Sequence, residues 1–259
     1  MEKTALITGA SSGIGKELAK IHAEKGGSLI IVARRLDKLT ELKNELEQKH
    51  KVQVTVIAKD LSVNDAAKEL YEEVKHSDLQ VDYLINNAGF GLLGKFHELS
   101  WERQMQMINL NMVTLSELMY LFLSDMVSRN SGKILNTSST ASLIPGPLQA
   151  LYYATKSYVA FLGNAIAEEL HDTEVTVTTL MPGATESEFA QTSGMDETSL
   201  FNKTATARSV AEDGYNGMIK GKLDVFSGLT PSVKILKVMI PFVPKKMMLK
   251  QIRKMQEVK

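Results

Sequence analysis

Tyr152 and Lys156 stand four residues apart, a spacing that puts both side chains on one face of a helix where they can meet. A phenol with an ordinary pKa of ~10 is a poor acid–base catalyst near neutrality unless something stabilises its anion, and an adjacent ammonium does that. Taken in isolation the pair is weak, since Tyr and Lys meet at this spacing by chance on many helices. A second chemistry-bearing stretch lies near the start of the chain. Thr8-Gly9-Ala10-Ser11-Ser12-Gly13-Ile14-Gly15 directly follows the apolar run Thr4-Ala5-Leu6-Ile7. Its glycines permit a sharp turn, leave room for a ligand to approach the main chain, and let the following helix pack closely on the strand. Backbone amides at a helix N-terminus favour phosphate oxygens, so the expected ligand is a diphosphate.

Spacing separates the phosphate-binding alternatives. A Walker A loop needs glycine five residues before the Gly-Lys pair and Ser or Thr after it; Gly15-Lys16 has Ala10 and Glu17 at those places. The long dinucleotide fingerprint, with glycines at relative positions 1, 3 and 6, is not met either.

The elements that must position these residues alternate. Strands are predicted over Thr4–Ile7, Ser28–Ala33, Val52–Ala58, Val81–Ile85, Gly132–Thr137, Val175–Leu180 and Lys222–Phe226. Helices are predicted from Ile14 to Lys25, through Leu36, Leu39, Leu42 and Leu46, from a Ser62 cap to His76, from a Ser100 cap to about Arg129, from Leu151 to His171, and from a Thr206 cap to Lys220. Residues 184–206, rich in Thr, Ser and small residues, read as a mobile loop. Crossover helices force a parallel sheet with helices on both faces, and such sheets bind ligands at the carboxyl ends of their strands. Ser139, just after the fifth strand, lies at such an end. The expected fold class is α/β: one Rossmann-type, doubly wound parallel sheet of about seven strands in residues 1–230, followed by a basic amphipathic extension, 231–259.

The chain has 259 residues, no cysteine and a net charge of zero. Disulfides, metal thiolates and thiol nucleophiles are therefore excluded, and a reducing cytoplasm is the expected location. The polar start Met1-Glu2-Lys3 does not resemble a signal peptide. The longest uninterrupted apolar runs fall well short of the roughly 18 residues of a spanning helix. Charge is uneven: eight of the 30 Lys and Arg, but one of the 30 acidic residues, fall between Lys234 and Lys259. A mildly acidic body with a basic tail does not suggest nucleic acid as a partner. Histidines 22, 50, 76, 97 and 171 show no metal-ligand spacing, so no metal is expected. There is no Gly-x-Ser-x-Gly elbow of a hydrolase.

Taken together, Thr8-Gly9-x-x-x-Gly13-x-Gly15, Asp60, Asn86-Asn87-Ala88-Gly89, Asn111, Ser139, Tyr152-x-x-x-Lys156 and Pro182-Gly183 resemble the short-chain dehydrogenase/reductase family, in its order and over residues 3 to about 227. The resemblance implies hydride transfer between a nicotinamide and a carbonyl or alcohol carbon. In the reducing direction Tyr152 would protonate the developing alkoxide, Ser139 would hydrogen-bond the same oxygen, Lys156 would lower the Tyr152 pKa and hold the ribose, and Asn111 would position a water leading from Lys156 to solvent. Asn109 and Tyr153 are the rivals by eye; counting back from Leu123-Ser124-Asp125-Met126 selects Asn111, and only Tyr152 stands four before the lysine. Cofactor contacts would fall on Gly9, Ser11, Ser12, Gly13, Ile14, Gly15, Asp60, Leu61, Asn87, Ala88, Gly89, Tyr152, Lys156, Pro182, Gly183, Thr185 and Ser187.

Cofactor choice follows from the end of the second strand. A carboxylate there binds the ribose 2′-hydroxyl of NAD; this chain has Ala33, then Arg34 and Arg35. Two guanidiniums can clamp a 2′-phosphate, which favours NADP(H). The family's further basic residue within the glycine turn is replaced by Ser11 and Ser12. The competing reading is a non-catalytic NADP sensor, against which the retained catalytic positions argue.

The substrate is expected to be a small carbonyl or alcohol. Leu143, Ile144, Pro145, Pro147, Leu148 and Leu151 would either form an apolar pocket beside Ser139 and Tyr152 or pack beneath a lid. Apolar residues such as Met119, Phe122 and Phe161 exceed what one helix face needs, and with the resemblance they predict a homodimer or homotetramer. In the tail, Met248, Ile252 and Met255 share one helical face among Lys246, Lys250, Arg253 and Lys254, downstream of the apolar run Val238–Val243. A cleft cover, an oligomer contact and attachment to an anionic membrane surface all fit this pattern; the membrane is the less favoured.

Overall fold

The computed structural model describes residues 3–196, 198, 201, 203–229 and 243–257. The strands are β1 Thr4–Thr8, β2 Ser28–Ala33, β3 Val54–Ala58, β4 Tyr83–Asn86, β5 Gly132–Thr137, β6 Val175–Pro182, β7 Thr185–Glu186, β8 Ala205–Thr206 and β9 Asp224–Ser227. The helices are α1 Gly13–Glu24, α2 Leu36–His50, α3 Ala66–His76, α4 Trp101–Ile108, α5 Leu115–Ser128, α6 Ala150–Glu169, α7 Phe189–Ser193, α8 Ala207–Ile219 and α9 Lys245–Gln256.

Seven strands form one sheet in the order β3-β2-β1-β4-β5-β6-β9, and every pair is parallel. Successive strand residues point to opposite faces, so Ile7 and Ile31 meet α1, α2 and α8 on one side, while Leu6, Ile30, Leu84 and Ile134 meet α3, α5 and α6 on the other. Both faces are thus covered, which is why β2 is almost wholly apolar rather than alternating. The order reverses between β1 and β4, and a crevice opens at the carboxyl ends on either side of that point.

Three local expectations need correction. Ser62 does not cap α3: its amide and hydroxyl both donate to Asp60 Oδ1, and Asp65 stands at the start of the helix. The loop from 60 to 65 therefore turns back on the Asp60 carboxylate before the helix begins. The helix after Ser100 is capped as expected, by Arg103 N–H donating to Ser100 Oγ, but it does not run evenly. A π turn, Asn109–Thr114, separates α4 from α5. It is fastened from outside by Thr114 Oγ1 donating to the Leu61 carbonyl at 2.7 Å and Asn109 Nδ2 donating to the Ser62 carbonyl at 3.4 Å. Instead of an irregular loop, residues 184–206 contain β7 paired with β8 and the single-turn helix α7. Although no uninterrupted apolar run spans it, the helical segment Trp101–Ser128 is long and apolar enough to cross a membrane; its Leu115, Leu118, Met119, Phe122 and Met126 are buried in the core instead.

In the tail, α9 buries Met248, Ile252 and Gln256, whereas Met255 of the expected stripe is 39% exposed. The true face runs at intervals of four, and its last member is polar. The apolar run Val238–Phe242 lies outside the described residues; Val243 is half-buried.

Candidate functional site

A cleft of about 420 Å³ lies across the carboxyl ends of β1, β2, β4, β5 and β6. One wall is the glycine turn. Gly9 and Gly13 have φ of +68° and +54°, where an L side chain is strained, and a Cβ on Gly9 would sit 2.9 Å from Ala88 Cα. A Cβ on Gly13 would sit 2.9 Å from Ser187 Cβ, so this part of the cleft is pared to bare backbone. Such a cradle at the start of α1 fits the diphosphate of a dinucleotide. Thr8 Oγ1 ties the turn to the next wall by accepting the amides of Asn87 and Ala88, both at 3.0 Å. Every residue predicted to contact the cofactor borders this cleft except Gly15, which lies behind it, where a Cβ would collide with the Gly9 carbonyl and the Asn87 side chain. Gly15 is a packing glycine.

At the end of β2, Arg34 and Arg35 stand at one edge. Arg35 Nη2 donates to Ser11 Oγ at 3.2 Å and to Glu188 Oε2 at 2.7 Å. Glu188 also binds Ser12, and Arg35 above all holds its carboxyl below the usual carboxylate range. Asp60 lines the same region. Burial alone would raise its carboxyl, but the two Ser62 hydrogen bonds and the charges of Arg34 and Arg103 outweigh that and keep it low.

At the other edge, Ser139, Tyr152 and Lys156 converge. Ser139 follows β5 and accepts the Ala141 amide at 3.1 Å; Tyr152 and Lys156 rise from α6 into the cleft, with Lys156 Nζ 5.9 Å from the centre of the Tyr152 ring. The ammonium donates to the Thr137 carbonyl at 2.8 Å, so β5 fixes its position. Behind it, Asn111 in the π turn donates to the Phe90 carbonyl at 3.0 Å and to Thr155 Oγ1 at 3.1 Å, and accepts the Phe90 amide at 3.2 Å. A Cβ on Gly89 would lie 3.0 Å from Asn111 Oδ1 and 3.4 Å from Lys156 Nζ, so these two polar atoms close over one glycine. Asn109, the rival, bonds Ser62 instead, and Tyr153 bonds Gln256 of α9.

The lowering of the Tyr152 pKa expected from Lys156 has burial to work against. Burial raises the Tyr152 phenol above its ordinary range, opposed by a hydrogen bond from Ser139, and the nearby Tyr153 raises it further. Burial likewise pulls the Lys156 ammonium down to about 8. Both groups are deeply set, and desolvation of each charged form holds phenol and amine closer to their neutral states.

Of the two roles expected for the apolar residues around 143–151, Ile144 and Leu151 take the packing one. Ile144 and Leu151 pack against Met107, Ala141, Tyr152 and Tyr153, while Phe90, Phe189, Met195 and Phe201 line the cleft. The Phe189 ring lies 5.5 Å from that of Tyr152. Sequence reasoning missed Phe189, Glu188 and Gln256, none of which belongs to a spaced motif.

The short chain dehydrogenase family model matches residues 3–198. A very-long-chain 3-oxoacyl-CoA reductase of Mus musculus is 32% identical over 186 residues; the match covers 69% of this chain and 58% of that protein, so the chain spans little more than half the length of this relative. A 7beta-hydroxysteroid dehydrogenase of Mediterraneibacter gnavus is 28% identical over 226 residues, covering 86% and 85%. Among solved structures, a short-chain dehydrogenase from Sphingobium yanoikuyae in complex with NADPH superposes with a TM-score of 0.82 at 26% identity, over 94% of this chain and 97% of that one. The chain belongs to the short chain dehydrogenase family.

Proposed function

We propose that the protein is an NADP(H)-dependent oxidoreductase acting on carbonyl or alcohol groups. The observation that carries this reading is the convergence of Ser139, Tyr152 and Lys156 on one cleft, with Asn111 behind them and Arg34 and Arg35 at its far end. The nicotinamide, when bound, supplies or accepts the hydride. Tyr152 holds the proton that the reduced oxygen receives, and a phenol kept protonated by burial is suited to giving it. Ser139 shares the same oxygen and the charge that develops on it. Lys156, anchored on Thr137, supports the phenolate once the proton has left, and a water positioned by Asn111 would return a proton to it from solvent. Gly9, Ser11, Ser12, Gly13 and Ile14 would hold the diphosphate, Asp60 and Leu61 the adenine, and Pro182, Gly183, Thr185 and Ser187 the nicotinamide.

The wall of Phe90, Phe189, Met195 and Phe201 supports a substrate whose carbonyl sits on a bulky apolar skeleton. The names of the mouse and Mediterraneibacter relatives point the same way. NADPH oxidation followed by absorbance across a panel of ketones, keto acids, steroid ketones and 3-oxoacyl thioesters tests the reading. Turnover of apolar ketones is expected; tight NADPH binding with no turnover of any class would favour the sensor.

We also infer a homo-oligomer. Tyr120 on α5 and Phe161 on α6 are 78% and 76% exposed, and Val113 and Tyr158 lie exposed on the same two stretches. Phe161→Glu should shift the sedimentation coefficient toward the monomer. The basic helix α9 has its Met248 and Ile252 covered by protein, which favours packing on the body over attachment to lipid.

A further inference from the structure

The guanidinium assigned to the 2′-phosphate already holds an anion from this chain. Arg35 Nη2 lies 2.7 Å from Glu188 Oε2 and 3.2 Å from Ser11 Oγ, and the Glu188 carboxylate also reaches Ser12. Glu188 is thus seated on two of the polar groups expected to receive the cofactor's phosphates, Arg35 and Ser12, and the guanidinium it holds also spans to Ser11. We infer that Glu188 is an internal competitor for the 2′-phosphate site, displaced by NADPH but not required to move for NADH, and hence a determinant of cofactor selectivity.

The inference rests on the reading of Arg34 and Arg35 as the 2′-phosphate site. Its physics is simple. A phosphate monoester carries between one and two negative charges near neutrality, and a carboxylate held on the same guanidinium repels it. Arg35 keeps Glu188 ionised throughout that range. The pair is roughly half exposed, 42% and 52% for the two side chains, so the competition is worth a modest factor rather than orders of magnitude.

Glu188 is also well placed to pass the displacement on. Its carbonyl accepts the Thr192 amide at 3.0 Å and so opens α7, whose first residue is Phe189, the ring beside Tyr152. A 2′-phosphate that takes Arg35 releases the carboxylate tethering the start of this helix. The selectivity site at one end of the cleft is thereby joined to the cover of the catalytic tyrosine at the other.

The test is titration of NADPH and NADH into the full-length protein and its Glu188→Gln variant, read by nicotinamide fluorescence without substrate. Glu188→Gln should tighten NADPH about three- to tenfold, leave NADH within about twofold, and lose this advantage as salt is raised. Hydrogen exchange of residues 186–193 should differ between the NADPH and NADH complexes of the parent and coincide in the variant. Weaker or unchanged NADPH binding, or equal tightening of both cofactors, would overturn the inference, as would identical exchange with either cofactor in the parent. If the parent bound neither dinucleotide, the proposed function itself would fall, a result that these outcomes do not resemble.

Discussion

Gln256 Nε2 donates a 2.8 Å hydrogen bond to the hydroxyl of Tyr153, across 103 residues of sequence. The Tyr153 ring meets that of Tyr152 edge-on at 6.1 Å and covers Gly146, where any side chain would strike it. The far end of the chain is therefore one residue removed from the catalytic tyrosine. Gln256→Leu should lower kcat/KM for the best substrate several-fold while leaving NADPH affinity unchanged. Deletion of residues 244–259 should do more. Unaltered kinetics in both would show that α9 is no part of the substrate wall, and co-sedimentation of the parent with anionic vesicles, lost on deletion, would restore the membrane reading.

Tyr152→Phe removes the proton donor and little else. Turnover should fall by at least about a hundredfold, the usual range for loss of a general acid. NADPH affinity measured by titration should stay within about twofold of the parent. An active phenylalanine variant would contradict the mechanism.

Replacing Arg34 and Arg35 together by alanine should weaken NADPH far more than NADH. Charge-assisted hydrogen bonds are worth roughly 1.5–3 kcal/mol each, so a loss of tenfold or more is expected for NADPH alone. Equal losses for both cofactors in steady-state kinetics would mean that the guanidiniums read something other than the 2′-phosphate.

Lys156 gives a prediction about stability. Its pKa is about 8 in the folded chain against an ordinary value of 10.5, so between those values the unfolded chain binds more protons and the fold gains stability as pH rises. Below pH 8 the buried ammonium costs about 3 kcal/mol by this linkage, and its bond to the Thr137 carbonyl returns about 1 kcal/mol. Lys156→Met should therefore melt higher than the parent at pH 7 despite losing activity. The gap in Tm should narrow from pH 8 toward 10.5; a gap independent of pH would refute the assignment.

Gly89→Ala tests the closure of Asn111 and Lys156 over one glycine. The added methyl meets Asn111 Oδ1 at 3.0 Å and Lys156 Nζ at 3.4 Å, so one of them must yield. Circular dichroism should remain that of the parent while kcat drops, and equal kcat would show that the closure has no catalytic weight.

What could be read in advance followed from short-range pattern. β2 was legible to the residue because a strand buried on both faces is an almost unbroken apolar run; the bounds of β5 match too, although Lys133 and Asn136 interrupt its apolar residues. The glycine turn and the Tyr-Lys pair were legible because chemistry fixes their spacing. Glu188 and Gln256 were not, since each is an ordinary polar residue whose meaning comes from a partner 153 or 103 residues away. The upward pull on the Tyr152 phenol is hidden for a related reason: spacing shows which charge is near, but only the fold shows how deeply the phenol is buried. The apolar residues around 143–148 stand out in the sequence, whereas Phe90, Phe189 and Met195, which line the cleft, come from two separate segments and form no motif.

The π turn at Asn109–Thr114 has a consequence for the long helix as a whole. A wider turn absorbs one extra residue, and in an α-helix one residue is a rotation of about 100°. The two halves are therefore out of phase. Without that slip, a single stripe would have to serve both the cleft and the sheet. With it, α5 turns Leu118 and Phe122 inward to the core, while Asn111, a few residues earlier, faces Phe90 and Thr155. One continuous rod carries two independently aimed faces, and deleting any one residue between 109 and 114 would re-phase them, sparing the core only by turning the asparagine away.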